Sequence, residues 1–325
     1  MKRILCLYTG GTLGCLPSQQ GLAPAPGILN TPIAELAAHL PGSPRVELLE
    51  YPQLLDSSSM GPADWNRIGA DIAGHHADYD GFVVLHGTDT LAYTAAALSF
   101  QLEHLAKPVI VTGAQRPWFM ADSDAPANVS AALEHALGDW PGVRVAFGGR
   151  LLPGARVRKT DADNNQAFSA PNWDGQWPTP VAPTTPARCF TIDPQARIIG
   201  IKLYPGLTGD WLATALTQPQ QGIVLETYGS GNLPEHAGLI AALEQQARAG
   251  AIIVNCTQCL AGHVQQGHYA TSSSLQRIRA LPAADMTPEA ALTKLYYLQA
   301  TSATANEIRE NFVQNLRGEL TPDLC

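Results

Sequence analysis

Small hydroxyl, glycine and acidic residues gather at three places in this chain of 325 residues, each directly after a short apolar run. Ile4-Leu5-Cys6-Leu7-Tyr8 is followed by Thr9-Gly10-Gly11-Thr12-Leu13-Gly14, Phe82-Val83-Val84-Leu85 by His86-Gly87-Thr88-Asp89-Thr90, and Val109-Ile110-Val111 by Thr112-Gly113-Ala114-Gln115. A fourth polar group, Asp56-Ser57-Ser58-Ser59, follows Leu54-Leu55. Glycine lets backbone N–H groups approach a ligand closely, and a hydroxyl beside such donors can attack a carbonyl whose oxygen they stabilise, so the set suits acyl transfer. Any one of these loops alone is ordinary turn and helix-cap chemistry; their repetition carries the reading. Phosphate cradling, the other common use of glycine loops, lacks its signals: there is no GxxxxGK[ST], and no GxGxxG follows the first apolar run. GxSxG and HExxH are also absent.

Such loops act together only if strands deliver them to one edge, and in open parallel sheets ligands bind outside the carboxyl ends of the strands. Strand-length apolar runs alternate here with amphipathic stretches of helical length, which predicts an α/β fold with parallel sheets. Gly61-Pro62 starts a helix in which Trp65, Ile68 and Ile72 share a face, and residues 90–105 predict another, giving a βαβ unit with the strands on either side. Residues 171–194 contain six prolines with little periodicity and read as a linker. Beyond them strands are expected near 198–203, 223–225 and 251–255, with helices near 210–216, 235–248, 288–299 and 305–315. The expectation is a larger N-terminal parallel-sheet α/β catalytic domain over residues 1–180, a linker over 181–204 and a smaller C-terminal α/β domain over 205–325.

Twenty Lys and Arg against 28 Asp and Glu give a net charge of −8, a field that repels phosphate backbones and anionic membrane surfaces. The densest basic group, Arg150, Arg156, Arg158 and Lys159, is short and interrupted by glycine and proline, so no nucleic acid or membrane partner is expected. No apolar run approaches the roughly 18 residues of a membrane span, and the N-terminal run is shorter than a secretory core of about 7–15 residues. A cytoplasmic location follows as the expectation. Six cysteines fit a reducing compartment, and the lone Cys256/Cys259 pair has no second Cys/His pair to complete a metal site.

Taken together the motifs resemble those of bacterial-type L-asparaginases. Tyr8-Thr9-Gly10-Gly11-Thr12-Leu13-Gly14 is similar to the family's first signature and Leu85-His86-Gly87-Thr88-Asp89-Thr90-Leu91-Ala92-Tyr93-Thr94 to its second, with Thr12 and Thr88 76 positions apart. The likeness continues through Thr112-Gly113-Ala114-Gln115-Arg116-Pro117, Lys159, Phe168-Ser169-Ala170-Pro171-Asn172, Tyr228-Gly229-Ser230-Gly231-Asn232 and the closing Asn315-Leu316-Arg317-Gly318-Glu319-Leu320-Thr321-Pro322. The closing motif is similar to the cytoplasmic, type I branch.

The resemblance implies hydrolysis of L-asparagine to L-aspartate and ammonia, without metal or cofactor, through an acyl-enzyme on Thr12. Thr88, Asp89 and Lys159 match the set that supports this nucleophile, and backbone N–H groups near Gly11 and Thr88 match the oxyanion donors. Asp56, Ser57 and Ser58 match the substrate-binding turn, the two serines holding the α-carboxylate. Asp89 also pairs with the α-ammonium, Ala114 offers a carbonyl beside the leaving amide, and His86 is a structural turn residue. Asn232 matches a residue that reaches a neighbouring subunit's site, implying a homodimer or homotetramer with shared active sites. Leu22 stands where many members carry a loop tyrosine, so Thr12 must be activated by another route. Glu226 and Arg158 replace the arginine and threonine with which some type I members bind a second asparagine; the reversed charge at Glu226 implies that this effector site is closed. Two other readings share the scaffold, an amidase subunit of a tRNA-dependent amidotransferase and a non-catalytic amino-acid sensor. The acidic balance weighs against the first, and the joint presence of Thr12, Thr88, Asp89 and Lys159 against the second. Preference between asparagine and glutamine is not legible, because one methylene in a pocket is worth only about 1–3 kcal/mol.

Overall fold

The computed structural model describes residues 1–19, 21–177, 184–266, 272–322 and 324. The chain divides into two compact units, one formed by Met1–Ala170 with Gly175–Thr191, the other by Pro171–Asp174 with Ile192–Cys325. The expected boundary between residues 180 and 181, and the first three residues of the expected linker, lie outside the described residues.

The first unit is built on a six-stranded sheet of β1 (Arg3–Gly10), β2 (Arg45–Leu55), β3 (Gly81–Leu85), β4 (Pro108–Thr112), β5 (Gly142–Phe147) and β6 (Arg150–Pro153). Its order is β2-β1-β3-β4-β5-β6, parallel throughout except for the β5–β6 pair. Central strands of such a sheet are covered on both faces, and β1, β3 and β4 are accordingly apolar along nearly their whole length. Ile4, Cys6, Tyr8, Val83, Leu85 and Ile110 face a core that includes Ile33 of α1 (Asn30–His39) and Val129 and Leu133 of α4 (Ala125–Ala136). Strand β2 is an edge strand, the position where its Pro52 costs no ladder hydrogen bond.

Helix α2 (Pro62–His75) buries Trp65, Ile68 and Ile72 as their spacing predicts. Helix α3 (Leu91–Gln101) stops short of the expected residue 105. Leu102–Glu103 turns extended and pairs antiparallel with Arg188–Cys189, the Gln101 side-chain amide donates to the Phe190 carbonyl, and His104 takes φ +58°. Tertiary pairing thus overrides helical propensity at that end. The pairing also ties part of the proline-rich stretch into the first unit, where Cys189 Sγ sits 2.5 Å from the Cβ that any residue but glycine would place at position 69 of α2.

The second unit carries an all-parallel sheet of β7 (Ile198–Lys202), β8 (Gly222–Thr227), β9 (Ile252–Thr257) and β10 (Leu281–Pro282), in that order. One core joins Ile223, Leu225 and Ile253 to Leu212 of α5 (Gly209–Ala215), Leu239 and Leu243 of α6 (Ala237–Arg248) and Leu275 of α7 (Ser272–Arg277). Helices α8 (Pro288–Thr301) and α9 (Ala305–Phe312) follow, each with a threonine N-cap, and α9 ends three residues before the expected position. Among the described residues no helix is long and apolar enough to cross a membrane.

Lys294 of α8 and Glu319 of the closing motif form an ion pair at 2.5 Å with neither side chain exposed to solvent. The ammonium also donates to the Gln314 carbonyl, and the carboxylate accepts the Leu316 and Arg317 amides, so both charges are hydrogen-bonded. Removing one member strands the other. Lys294→Met is expected to lower unfolding free energy by about 3–5 kcal/mol, read from the midpoint of a urea titration followed by far-UV circular dichroism.

Candidate active site

The first sheet changes direction at β1, whose successor β2 lies on one side and β3 on the other, and the crevice at such a switch point is where α/β sheets place ligands. The loops leaving β1, β2 and β3 meet there backbone to backbone. Gly10 and Gly11 have φ of +129° and +90°, and a Cβ on Gly11 would lie 2.4 Å from the Gly87 nitrogen. A Cβ on Gly10 would lie 2.1 Å from the Leu55 oxygen, and one on Gly87 2.5 Å from Ser57 Oγ. Glycine is required at positions 10 and 11 for both conformation and space, and at position 87 for space.

Thr12 opens a short 3₁₀ turn, Thr12–Gly14, and is partly exposed. Among the described residues its hydroxyl has no hydrogen-bond partner. The turn leads into a hairpin, Cys15–Ser18 against Gly21–Pro24, in which Leu22 is 53% exposed; Gln20 lies outside the described residues.

Lys159 sits on a two-residue strand paired with Phe168–Ser169, steadied where Phe168 packs edge-on against Phe147 at 4.9 Å. Its ammonium donates to Thr88 Oγ1 at 2.9 Å and to Asp89 Oδ1 at 2.8 Å. Thr88 is buried, while the Asp89 side chain is 58% exposed and so open to a ligand. The Thr88 hydroxyl donates in turn to Gln115 Oε1 at 3.2 Å. The Gln115 amide can face only one way, because its nitrogen donates to the Ala162 and Asn164 carbonyls at 2.8 and 3.3 Å and a carbonyl can only accept. The result is a directed chain, Lys159 to Thr88 to Gln115, with the Thr88 proton pointed away from the lysine.

Ser57 is buried; its hydroxyl accepts the Asp89 amide at 3.2 Å and its carbonyl accepts the Thr90 hydroxyl at 2.7 Å. Asp56 and Ser58 are exposed, and the Asp56 carboxylate caps the turn by accepting the Ser58 amide. Ala114 is fully buried in a loop clamped by Asp124, which accepts the Gln115 and Arg116 amides, and by Asn128, which donates to the Gly113 carbonyl. His86 is fully buried between the Gly87 carbonyl and the Thr94 hydroxyl, so Nδ1 carries the proton and Nε2 accepts. Burial pulls its pKa down to about 4, which leaves it neutral with both ring nitrogens engaged.

Family models match both parts of the sequence, "Asparaginase, N-terminal" over residues 3–175 and "Glutaminase/Asparaginase C-terminal domain" over residues 197–312. The chain belongs to the asparaginase family. It is 42% identical over 335 aligned residues to L-asparaginase 1 of Escherichia coli strain K12, covering 99% of both chains. The crystal structure of L-asparaginase I from Vibrio cholerae superposes with a TM-score of 0.89 at 39% identity, over 98% of this chain and 99% of that one. The thermostable L-asparaginase from Thermococcus kodakarensis does so with a TM-score of 0.87 at 33% identity, again over 98% and 99%.

Of the signature residues of this asparaginase-family chain, Thr88, Asp89 and Lys159 are in direct hydrogen-bonded contact, and Ser57 joins them through the Asp89 amide. Asn232 belongs to the second unit, in a tight turn after β8 where its amide donates to the Tyr228 carbonyl at 2.7 Å. Glu226 lies in β8 and Arg158 beside Lys159 in the first unit. Cys256 is buried and Cys259 exposed, and neither is in a disulfide. Gln115 is the residue that motif reading undervalued: it stands in a loop already marked by its sequence, but only the two carbonyls of a segment 47 and 49 positions away reveal its orientation.

Proposed function

We propose that this chain hydrolyses L-asparagine to L-aspartate and ammonia, with Thr12 as nucleophile. The observation that carries the reading is the Lys159 ammonium held by Thr88 and Asp89 at the switch point that the Thr12 turn also borders. The Thr12 oxygen attacks the side-chain amide carbon, its proton passes to the departing nitrogen, and ammonia leaves a β-aspartyl ester. Water then attacks the ester, the C–O bond to Thr12 breaks, and the hydroxyl is restored. Amides in the Gly11 and Thr88 loops stabilise the oxyanion in both steps. Lys159 and Thr88 relay the proton, and Asp89 holds the lysine while its exposed side chain pairs with the substrate ammonium. Asp56, Ser57 and Ser58 form the turn that receives the α-carboxylate, and Ala114 lies beside the leaving amide. Leu22 has no proton to give, so activation of Thr12 falls to this relay. Neither a metal nor a cofactor enters the scheme. The working form is a homodimer or homotetramer, with Asn232 completing a neighbouring subunit's site, and the location is cytoplasmic.

Purified protein supplied with asparagine and, separately, glutamine is expected to release ammonia from asparagine without tRNA. No release from asparagine overturns the reading, and release only in the presence of tRNA assigns the chain to amidotransfer. With Glu226 in place of an effector-binding arginine, the same titration should be hyperbolic with a Hill coefficient of about one. A sigmoidal curve that Glu226→Ala abolishes would show an effector site in use.

A further inference from the structure

Tyr8 is fully buried at the end of β1, in the core with Leu13 and Leu29, and among the described residues its hydroxyl oxygen has no hydrogen-bond partner. Burying a hydroxyl without a partner is costly, and a phenylalanine of the same shape would avoid that cost. The hydroxyl is nevertheless accommodated. It points at Gly14, where a Cβ would lie 1.8 Å from the oxygen, so the last residue of the Thr12–Gly14 turn must be glycine for the oxygen to fit. Cys15 and Glu50 are the ionisable groups that face it, from the hairpin base and from β2 respectively. Glu50 also accepts the Gly27 amide at 2.8 Å, and the Gly14 carbonyl accepts the Ala25 amide at 2.9 Å. Both ends of the hairpin that follows Thr12 are thus anchored around the Tyr8 hydroxyl.

We infer that Tyr8 is a positioning residue for Thr12, its hydroxyl supplying a hydrogen bond to the Thr12–Gly14 turn when substrate draws that turn over the site. Each backbone carbonyl from Gly11 to Gly14 already accepts one amide, from Gly14, Cys15, Trp118 and Ala25 in turn; Gly11 accepts the Cys15 thiol as well, while the carbonyls of Thr12, Leu13 and Gly14 keep a second lone pair. A small shift of the turn brings one of those lone pairs to the phenol. Desolvation pushes the phenol pKa well up, so the group is a donor across the physiological range rather than a base. The unmet bond in the present arrangement biases the turn toward the arrangement that satisfies it. The role rests on the assignment of Thr12 as nucleophile.

The test is Tyr8→Phe, which removes one oxygen and nothing else. The expected result is an unchanged or raised thermal midpoint, kcat for asparagine lowered about 10–100-fold and KM within a factor of about two, since misplacing a reacting group acts on the chemical step. An unchanged kcat would overturn the inference and leave the hydroxyl a packing remnant. A lowered thermal midpoint would also overturn it, because the oxygen would then be serving the resting fold. Failure of the parent reading is separable, as the unaltered protein would then release no ammonia from asparagine before any variant is compared.

Discussion

Thr12→Ala is expected to abolish turnover and leave the fold intact. The turn that carries Thr12 is held by backbone bonds, the Cys15 amide to the Thr12 carbonyl and the Trp118 amide to the Leu13 carbonyl, and by the approach of Gly11 to Gly87. None of these uses the hydroxyl, so thermal midpoint and aspartate binding should stay close to those of the unaltered protein. Turnover is different, since removing the nucleophile of a covalent mechanism costs at least about 10⁴-fold in kcat. Rapid mixing with asparagine should show a burst of ammonia, one equivalent per site or less, that the variant lacks. A burst from the alanine variant would remove Thr12 from the chemistry.

The next largest effect is expected at Lys159. Lys159→Met keeps the length and the apolar stem but deletes the charge that holds Thr88 and Asp89. A positioned proton-transfer group contributes about 10²–10⁴-fold, and kcat should fall by that amount with KM little changed. Stability should barely respond, because Asp89 is mostly exposed and Thr88 retains its bond to Gln115. Should kcat hold while KM rises, Lys159 binds substrate instead of moving a proton.

The reach of sequence reasoning into this molecule follows from where its signals are local. Strands β1, β3 and β4 are buried on both faces and announce themselves as unbroken apolar runs, and the polar residues after each run are those that border the switch point. Strand β2 is harder to see, because an edge position tolerates Pro52 and charged residues that a central strand excludes. The end of α3 depends on Arg188–Cys189, more than 80 residues away, and no window around residue 102 contains that information. Within the candidate site, the meeting of Thr88 and Asp89 with Lys159 was legible only through the family resemblance, since Lys159 stands in no motif of its own. The direction of the hydrogen bonds among them was not, because the carbonyls of Ala162 and Asn164 decide it through Gln115. Lys294 reads as one more surface lysine on α8 until its burial against Glu319 is seen.

The passage of the chain between its two units bears on how the protein is made. Residues Pro171–Asp174 belong to the second unit, and Gly175–Thr191 return to the first before the remainder follows. Asn172 is fixed by bonds to the Gly262 and Asp285 carbonyls and from the Gly262 amide, groups that leave the ribosome some ninety residues or more after it. The first unit can therefore close only once Thr191 has emerged, and it must do so with a four-residue stretch left waiting for partners not yet synthesised. Neither unit corresponds to an uninterrupted fragment. A cut at residue 170 deprives the first unit of the strand that pairs with Leu102–Glu103, and a cut at residue 191 deprives the second of Asn172.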